Sequence, residues 1–400
     1  MKYVVILGDG MADYPVIELR GKTPLMCAKK PGMDFIAQHS IFSGLCQTTV
    51  EALPAGSDVA NLSVLGYDPT IYYTGRGPLE AGSMGIPLKE GDIAFRCNLI
   101  TVENGLIKDY SADHITSEEA GILMRALDER LGSDTVHFYP GISYRHLLVM
   151  EDFTPKTICT PPHDVTGRDV RDYLPKGEGS AELIRLIEES QEILANHEIN
   201  LERKAAGKGM ANSIWPWGQG RTPSMPSFKE IYGVSGAVIS GVDLIKGLGV
   251  FTGLDVIDVP GATGYLDTDY GAKAEYALKT LEEKDFIFIH VEAPDEAGHE
   301  GLVTEKVKAI EEIDSKIVCP LLEGLKRFGD YRMMILPDHP TPLSVKTHTK
   351  DPVPYAIYDS RFNGQGAHKG NIKYDERSMA DGTFVNPGHR LMGLFINGTQ

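Results

Sequence analysis

Residues 286–299 read FIFIHVEAPDEAGH, in which a strand-like run, apolar except for His290, turns acidic where it ends. Such a run is typical of a strand that is buried on both faces of a parallel sheet. Further runs have the same character: YVVIL at 3–7, GAVIS at 236–240 and MMIL at 333–336. Together they predict the strands of a mostly parallel sheet.

Amphipathic segments lie between these strand-like runs along the chain. Residues 181–197 carry apolar side chains at helical spacing, and so do residues 305–328, within which Pro320 predicts a kink. The alternation of strands and helices predicts the α/β class, as a doubly wound sheet with helices on both faces.

The middle of the chain has a different pattern. Residues 95–107 contain two strand-like runs around an Asn-Gly turn signal, a helical stretch follows at about 117–131, and TVHFY and RHLLVM are further strand-like runs. This set of strand-like and helical segments predicts a smaller α+β domain at 92–178, inserted into a larger domain formed by 1–91 and 179–400. A chain of 400 residues agrees with two domains, because single cores rarely grow that large.

The composition is that of a globular protein with an acidic surface. Hydrophobic residues make up 42% of the chain, which is sufficient for a large core. The 39 Lys and Arg residues against 56 Asp and Glu residues give a net charge of −17, which argues against nucleic acid as a partner. The first apolar run is too short for a signal peptide, and no segment has about 18 uninterrupted apolar residues. Five widely spaced cysteines favour reduced thiols, so we expect a cytoplasmic protein without membrane contact.

Carboxylate and imidazole side chains follow three of the predicted strands. The residues at these ends, with one histidine from a following loop, are Asp9, Asp295, His299, Asp338, His339 and His348. Because the carboxyl ends of parallel strands meet at one edge of a sheet, we expect these side chains to lie close together. Oxygen and imidazole ligands without thiolates suit Mn²⁺, Zn²⁺ or Mg²⁺. A single Asp after a strand is usually a turn or cap residue, but three such ends favour a metal site, because cations offset the cost of burying several charges.

The segment LPAGSDVANLSVLGYDP contains Ser57, which follows a Pro-Ala-Gly turn at the start of a helix predicted at 58–66. One interpretation is structural, because Ser is a common helix N-cap. The other interpretation is a nucleophile. Backbone N–H groups at a helix N-terminus favour a phosphate, and a bound metal promotes ionisation of a hydroxyl near neutral pH.

The six candidate metal ligands named above, together with Ser57, resemble the metal set of the alkaline phosphatase superfamily in their order along the chain. Over nearly its whole length the chain is similar to the archaeal-type, cofactor-independent phosphoglycerate mutases. The segments that carry the likeness are GDGMADYP, PAGSDVANLSVLGYDP, YYTGRGPLEA, GATGYLDTDY, HVEAPDEAGHEG and DHPTPLSVKTHTKDPVP. The longer bacterial mutases have Asn-Ser-Glu-Val-Gly-His around the nucleophile, where this chain has Gly-Ser-Asp-Val-Ala-Asn.

The resemblance implies an alkaline-phosphatase-like domain interrupted by a substrate-binding domain, and two divalent cations, with Mn²⁺ preferred over Zn²⁺ or Mg²⁺. One ion would be held by Asp9, Ser57, Asp338 and His339, and the other by Asp295, His299 and His348. The reaction implied is the interconversion of 3-phosphoglycerate and 2-phosphoglycerate, through a phosphate carried transiently on Ser57.

Polar residues in places that match the family are the substrate candidates. The basic ones are Arg76, Arg96, Arg145 and Lys246. Arginine suits bidentate capture of phosphate or carboxylate, but a surface cation or salt-bridge partner is an equal alternative for each. His163 and Asp164 are candidates for general acid–base catalysis, because histidine titrates near neutral pH. His290 is assigned a structural role.

Two other functions stay open. A homoserine kinase, or another phosphotransferase on this scaffold, would use the same metal site, and bacterial members with PLEAGSMGI-like segments resemble a subgroup proposed to be such kinases. The chain has no G-x-x-x-x-G-K-[ST] loop, which removes one common route to ATP. A non-catalytic metal-binding homologue is the second alternative, and the intact nucleophile and ligand set argue against it.

Overall fold

The computed structural model of the chain describes residues 1–362 and 372–398, which divide into two units. The first unit consists of Met1–Tyr73 and Ser224–Gln400, and the second of Thr74–Pro223. The strands in chain order are β1 (Lys2–Gly8), β2 (Ser40–Cys46), β3 (Ile93–Glu103), β4 (Leu106–Asp109), β5 (Val136–Tyr139), β6 (Arg145–Met150), β7 (Ser213–Gly220), β8 (Gly236–Ile239), β9 (Asp255–Val256), β10 (Phe286–Val291), β11 (Tyr331–Leu336) and β12 (Val353–Asp359).

Helices of varied length connect these strands. In chain order they are α1 (Pro24–Cys27), α2 (Pro31–Gln38), α3 (Ser57–Val64), α4 (Pro69–Tyr72), α5 (Arg76–Ser83), α6 (Ser117–Leu131), α7 (Val170–Tyr173), α8 (Ser180–Ala195), α9 (Glu198–Ala205), α10 (Phe228–Tyr232), α11 (Asp243–Phe251), α12 (Tyr270–Thr280), α13 (Ala293–Glu300), α14 (Val303–Ile313), α15 (Cys319–Gly324), α16 (Glu376–Met379) and α17 (Arg390–Asn397). Within the described part of the chain, none of them combines the length and apolar character that a bilayer span requires.

A seven-stranded sheet forms the centre of the first unit, in the order β2, β12, β11, β1, β10, β8, β9. Strands β11, β1, β10, β8 and β9 pair in parallel, whereas β12 and β2 pair antiparallel at one side. The strand predicted at 286–291 is β10, and Val5 of β1 lies opposite both Phe288 and Met334. The predicted α/β class with a doubly wound, mostly parallel sheet is confirmed.

Both faces of this sheet are covered, as continuous apolar strands require. Successive residues of a strand point to opposite faces, so Val4 and Val5 of β1 face different sides, and both are fully buried. The side of Val4 packs against apolar residues of α2, α12 and α14. On the side of Val5, Tyr3 makes an edge contact with Phe395 of α17, with 5.7 Å between the ring centroids.

The helix predicted at 305–328 is interrupted by a wide turn. Helix α14 is followed by a π turn at Asp314–Val318, and α15 begins at Cys319. Pro320 lies in the first turn of α15, which begins directly after this π turn. The structure has a π turn just before Pro320, the residue at which the sequence predicts a kink.

The second unit is built on an antiparallel sheet. Strand β3 pairs with β6 on one side and β7 on the other, β4 pairs with the end of β3, and β5 pairs with β6. Asn104 and Gly105 have φ angles of 52° and 75°, as the type I′ turn indicated by the Asn-Gly signal requires. One face of the sheet packs against α6 and α8 through a cluster that includes Leu123 and Leu186.

The limits of this unit differ from the insertion predicted at 92–178, because segments outside those limits pack on β3. Helix α5 contacts β3, and β7 pairs along it with Ile214 opposite Leu99. Strand β7 escapes prediction because it contains Pro216, which only an edge strand tolerates. The unit therefore extends over Thr74–Pro223.

Candidate active site

Acidic side chains collect at the carboxyl edge of the parallel sheet. Asp9 follows β1, Asp295 lies in the first turn of α13 directly after β10, and Asp338 follows β11. All three residues are buried. Strands β1, β10 and β11 are neighbours in the sheet, so their ends bring these carboxylates together.

The first group of ligand atoms belongs to Asp9, Asp338 and His339, and these atoms all lie within 4.8 Å of one another. His339 Nε2 lies 3.6 Å from Asp9 Oδ1 and 3.3 Å from Asp338 Oδ2. Ser57 Oγ lies 3.1 Å from the same Nε2 atom. These are the residues that the resemblance assigns to the first ion.

The second group of ligand atoms belongs to Asp295, His299 and His348. His299 Nε2 lies 3.1 Å from Asp295 Oδ2, at the i, i+4 spacing of α13, and 3.0 Å from His348 Nε2. His348 Nε2 lies 3.6 Å from Asp295 Oδ1. The two groups adjoin, because the rings of His339 and His348 have centroids 4.0 Å apart.

Burial and neighbouring carboxylates raise the pKa values of acids in and beside the first group. Burial raises the pKa of Asp9 well above its usual value, and the charges of Asp338 and Glu292 add to this. Burial is also the main cause that raises the pKa of Glu292 to about 8 and that of Asp338 to about 6. Within the described residues, Asp9 Oδ1 and Glu292 Oε2 are buried without a hydrogen-bond partner. A divalent cation would offset this negative charge, and the oxygen and imidazole donors fit such an ion.

The second group favours positive charge. Burial alone would raise the pKa of Asp295, but hydrogen bonds with His299 and His348 hold that pKa well below its usual value. Burial would likewise lower the pKa of His299, but the hydrogen bond to Asp295 outweighs it and the pKa rises to about 9. A cation on the same ligand atoms would take the place of the proton on His299.

Helix α3 begins at the candidate nucleophile. Gly56 occupies the N-cap position and provides no side-chain cap, while the N–H group of Val59 donates to Asp58 Oδ1 at 2.9 Å. The helix predicted at 58–66 thus starts one residue earlier, at Ser57, whose hydroxyl group faces His339 instead. The interpretation of Ser57 as an N-cap is therefore wrong.

Asn61 of α3 connects the nucleophile to the first group. Its Nδ2 atom donates to the carbonyl oxygen of Ser57 at 2.9 Å and to Asp338 Oδ2 at 2.8 Å. At this position the chain has Asn where the bacterial pattern has His, so the departure seen in the sequence lies within the site.

Thr341 connects the two groups. Its hydroxyl group bonds to Asp295 Oδ1 and lies 3.3 Å from His339 Nδ1. Buried Lys306 of α14 donates to the carbonyl oxygen of Thr341 at 2.7 Å and to Asp13 Oδ2 at 2.7 Å. Such contacts fix the orientation of metal-ligating side chains.

A third group of candidate ligand atoms combines Asp9 with His290 and Glu292. His290 Nε2 lies 2.8 Å from Asp9 Oδ2 and 3.5 Å from Glu292 Oε2. Sequence reasoning missed both residues, since His290 is assigned a structural role and Glu292 is given none. The sequence does contain a signal for His290, because its imidazole lies within the otherwise apolar FIFIHV run. Burial of a polar group without a partner costs free energy, so a buried partner for His290 is expected.

Guanidinium groups gather on one face of the sheet of the second unit. Glu80 Oε1 accepts hydrogen bonds from Arg96 Nη1 at 2.6 Å and from Arg76 Nε at 3.0 Å. Both guanidinium groups lie over Trp217, 5.1 Å and 5.6 Å from the ring centroid respectively. Glu80 is a residue to which the sequence analysis gives no role of its own.

Arg145 extends this set, which we call the arginine cluster (Arg76, Arg96 and Arg145). It lies opposite Asn98 in the β3–β6 register, so strand alternation puts it on the face of Arg96. Its Nε atom is buried without a hydrogen-bond partner in the described part of the chain. Burial lowers the pKa of Arg96 to about 10, although Glu80 opposes the shift. One carboxylate among three guanidinium groups leaves excess positive charge, which suits an anion.

The remaining predicted residues fall in different places. The ring of His163 lies 5.2 Å from that of Trp217, which joins it to the arginine cluster, and Asp164 Oδ1 lies 3.7 Å from His163 Nε2. Lys246 lies in α11 of the first unit, where its Nζ atom is 3.0 Å from Asp258 Oδ1. The structure thus brings His163 and the three arginines together within the second unit, whereas Lys246 belongs to the first unit.

Known proteins resemble this chain over its full length. The family model described as 2,3-bisphosphoglycerate-independent phosphoglycerate mutase matches residues 37–200. A protein of that name from Methanosarcina acetivorans is 55% identical over 400 residues, which is 99% of this chain and 100% of its own. The solved structure of a Pyrococcus horikoshii protein covers 100% of this chain and 98% of its own, with 30% identity and a TM-score of 0.82. The structure of the cofactor-independent phosphoglycerate mutase from Thermoplasma acidophilum covers 100% of both chains, with 27% identity and a TM-score of 0.64.

Proposed function

The chain belongs to the family of 2,3-bisphosphoglycerate-independent phosphoglycerate mutases, and we propose that it interconverts 3-phosphoglycerate and 2-phosphoglycerate through a phosphoserine at Ser57. The observation that carries this proposal is the placement of Ser57 Oγ, 3.1 Å from His339 Nε2 and beside buried carboxylates. A hydroxyl group at a helix start among metal-ligand candidates suits phosphoryl transfer.

Two divalent ions complete the proposed site. Asp9, Ser57, Asp338 and His339 would hold one ion, and Asp295, His299 and His348 the other. When bound, such ions neutralise the oxygens of the transferring phosphoryl group and favour ionisation of the attacking hydroxyl group. We propose Mn²⁺, with Zn²⁺ and Mg²⁺ as alternatives that the same ligand types accept.

The side chain of Ser57 carries the phosphoryl group between the two hydroxyl groups of glycerate. Its oxygen, already ionised, forms a bond to phosphorus as the bond from phosphorus to O3 of the substrate breaks, and O3 takes up a proton. O2 then loses a proton and bonds to phosphorus as the bond to Ser57 breaks. We assign these proton transfers to His163, with Asp164 beside it. Water must be excluded while the phosphoserine exists, because its hydrolysis would turn the enzyme into a phosphatase.

The arginine cluster is proposed to bind the anionic groups of the substrate. Arg145→Met should raise KM for 3-phosphoglycerate by roughly 10- to 100-fold, since a charge-assisted hydrogen bond contributes about 1.5–3 kcal/mol. The KM of Arg145→Lys should lie between those of the unaltered protein and Arg145→Met, because lysine keeps the charge but loses the bidentate geometry. Initial rates over a range of substrate concentrations measure the effect.

Arg171→Met is the matched control for Arg145. Arg171 belongs to the same unit but pairs with Asp169 on the surface, 2.7 Å away, so its removal should leave KM unchanged. An unchanged KM in Arg145→Met would remove this arginine from the proposed substrate site.

The reaction itself is tested without nucleotide. Purified, Mn²⁺-loaded protein should convert 3-phosphoglycerate into 2-phosphoglycerate with neither ATP nor 2,3-bisphosphoglycerate added, because phosphoryl donor and acceptor are one molecule. A parallel reaction offers ATP and homoserine and follows ADP. Absence of isomerisation together with homoserine-dependent ADP release would replace the mutase proposal by a kinase that uses the same Ser57 and ligand residues.

We also propose that the enzyme works in the cytoplasm on a small phosphorylated substrate. The five widely spaced cysteines support a reducing compartment. The net charge of −17 disfavours polyanionic partners, whereas local cations permit a small anionic substrate.

A further inference from the structure

A chain of hydrogen bonds crosses the carboxyl ends of β8, β10 and β1. The N–H group of Val242 donates to Ser240 Oγ at 3.0 Å, Ser240 Oγ lies 3.1 Å from His290 Nδ1, and His290 Nε2 lies 2.8 Å from Asp9 Oδ2. Ser240, His290 and Asp9 are all buried. Ser240 and His290 together support the side chain of Asp9.

The direction of these bonds follows from the chemistry of the groups. The proposed metal ion requires Asp9 in its ionised form, which can only accept, so His290 Nε2 carries the hydrogen atom of that bond. In a neutral imidazole the other nitrogen then offers a lone pair, so Ser240 donates its hydroxyl proton to Nδ1. Ser240 Oγ in turn accepts from the N–H group of Val242, so Ser240 and both ring nitrogens of His290 have hydrogen-bond partners.

The consequence for Asp9 is that its two oxygens become different. Oδ2 accepts from His290, whereas Oδ1 is buried without a hydrogen-bond partner in the described part of the chain and lies 3.6 Å from His339 Nε2. A carboxylate held through one oxygen cannot rotate freely, so the other oxygen keeps its direction. Oδ1 is thereby presented to the first ligand group.

We propose that His290, oriented by Ser240, is a positioning residue that holds Asp9 for the first metal ion. This inference rests on the proposed two-metal centre. The backbone of β10 is also fixed at this point, because buried Lys273 donates to the carbonyl oxygen of His290 at 3.0 Å. Glu292 Oε2 lies 3.5 Å from His290 Nε2. The competing explanation for His290 is therefore that it is itself a ligand of an additional ion, together with Asp9 and Glu292.

Three variants test the proposal by Mn²⁺ titration of chelator-treated protein. His290→Leu removes the donor and should weaken the first site by roughly 10- to 100-fold, the usual effect of losing a partner of a metal ligand, while the second site is unchanged. His290→Gln places an N–H group at a similar reach and should retain most of the affinity. Ser240→Ala leaves the imidazole in place but unoriented, and should cause a smaller loss at the same site.

Kinetics at limiting and saturating Mn²⁺ give a second readout. In His290→Leu, kcat should fall at limiting Mn²⁺ and recover at saturating Mn²⁺, with KM for 3-phosphoglycerate unchanged. Ser190→Ala is the matched control, since Ser190 is a buried serine of the second unit whose hydroxyl group donates to the carbonyl oxygen of Ile187 at 2.6 Å. Its Mn²⁺ binding should equal that of the unaltered protein.

The outcomes separate this inference from the proposed function. If the unaltered protein binds two ions and His290→Leu binds both equally well, the positioning role is overturned and the metal centre stands. Equal weakening of both sites, without rescue by His290→Gln, would mean that His290 supports only the fold. A third ion that disappears in His290→Leu would make His290 a ligand instead. An unaltered protein that binds no Mn²⁺ would overturn the metal centre itself.

Discussion

The Ser57→Ala variant is expected to fold and to bind divalent ions, but to lose turnover by roughly 10³- to 10⁶-fold. The fold survives because Gly56 occupies the N-cap position of α3, so the hydroxyl group of Ser57 has no capping role. Turnover is lost because that oxygen is the proposed carrier of the phosphoryl group. At about 1.4 kcal/mol for each factor of ten, the loss corresponds to about 4–8 kcal/mol of transition-state stabilisation.

Two measurements check this expectation. Initial rates compare Ser57→Ala with Ser63→Ala, a buried serine on the same helix whose replacement should leave turnover within about tenfold of the unaltered protein. Brief incubation of the unaltered protein with substrate, followed by acid quench and mass spectrometry, should find phosphate on Ser57. A Ser57→Ala enzyme within about tenfold of full activity would refute the nucleophile assignment.

Removal of divalent ions is expected to abolish activity, and Mn²⁺ is expected to restore it. The buried carboxylates of Asp9, Asp338 and Glu292 repel one another, so the site needs cations both for charge balance and for catalysis. Elemental analysis after reconstitution should find two ions per chain. Asp338→Ala should empty mainly the first site and Asp295→Ala the second, each leaving one ion.

The affinity of the site for divalent ions is predicted to depend on pH. The pKa of Glu292 is raised to about 8 and that of His299 to about 9, so both groups hold protons near neutral pH that a cation must displace or outweigh. Ion affinity should therefore rise with pH up to about pH 9, with release of protons on binding. Calorimetry in buffers of different ionisation enthalpy counts these protons.

A buried carboxylate outside the site supplies the control for these ions. Asp375 caps α16, so Asp375→Ala should cost about 1 kcal/mol of stability and leave two ions bound. Activity that persists in chelator, with at most trace metal in the active protein, would contradict the two-metal proposal.

Local patterns in the sequence determined the main elements and the class of the fold. Strand β10 coincides with the apolar run at 286–291, and α6 covers Ser117–Leu131, close to the helical stretch at about 117–131. These predictions succeed because burial periodicity and turn chemistry act among residues that are near one another in the chain. The acids after β1, β10 and β11 were predictable for a related reason, since parallel strands bring their carboxyl ends to one edge.

Only the tertiary structure decided which side chains meet. His290 contacts Asp9, which lies 281 residues earlier, and Glu80 joins two arginines that the sequence presents separately. Strand β7 pairs with β3 in the sheet of the second unit, although Pro216 makes its sequence unlike that of a strand. The pairing of β7 places it within that unit, whose limits are Thr74–Pro223. The physical reason is that a strand's pattern fixes which face a residue occupies, whereas its partner depends on strand order and register, which residues far away in the chain establish.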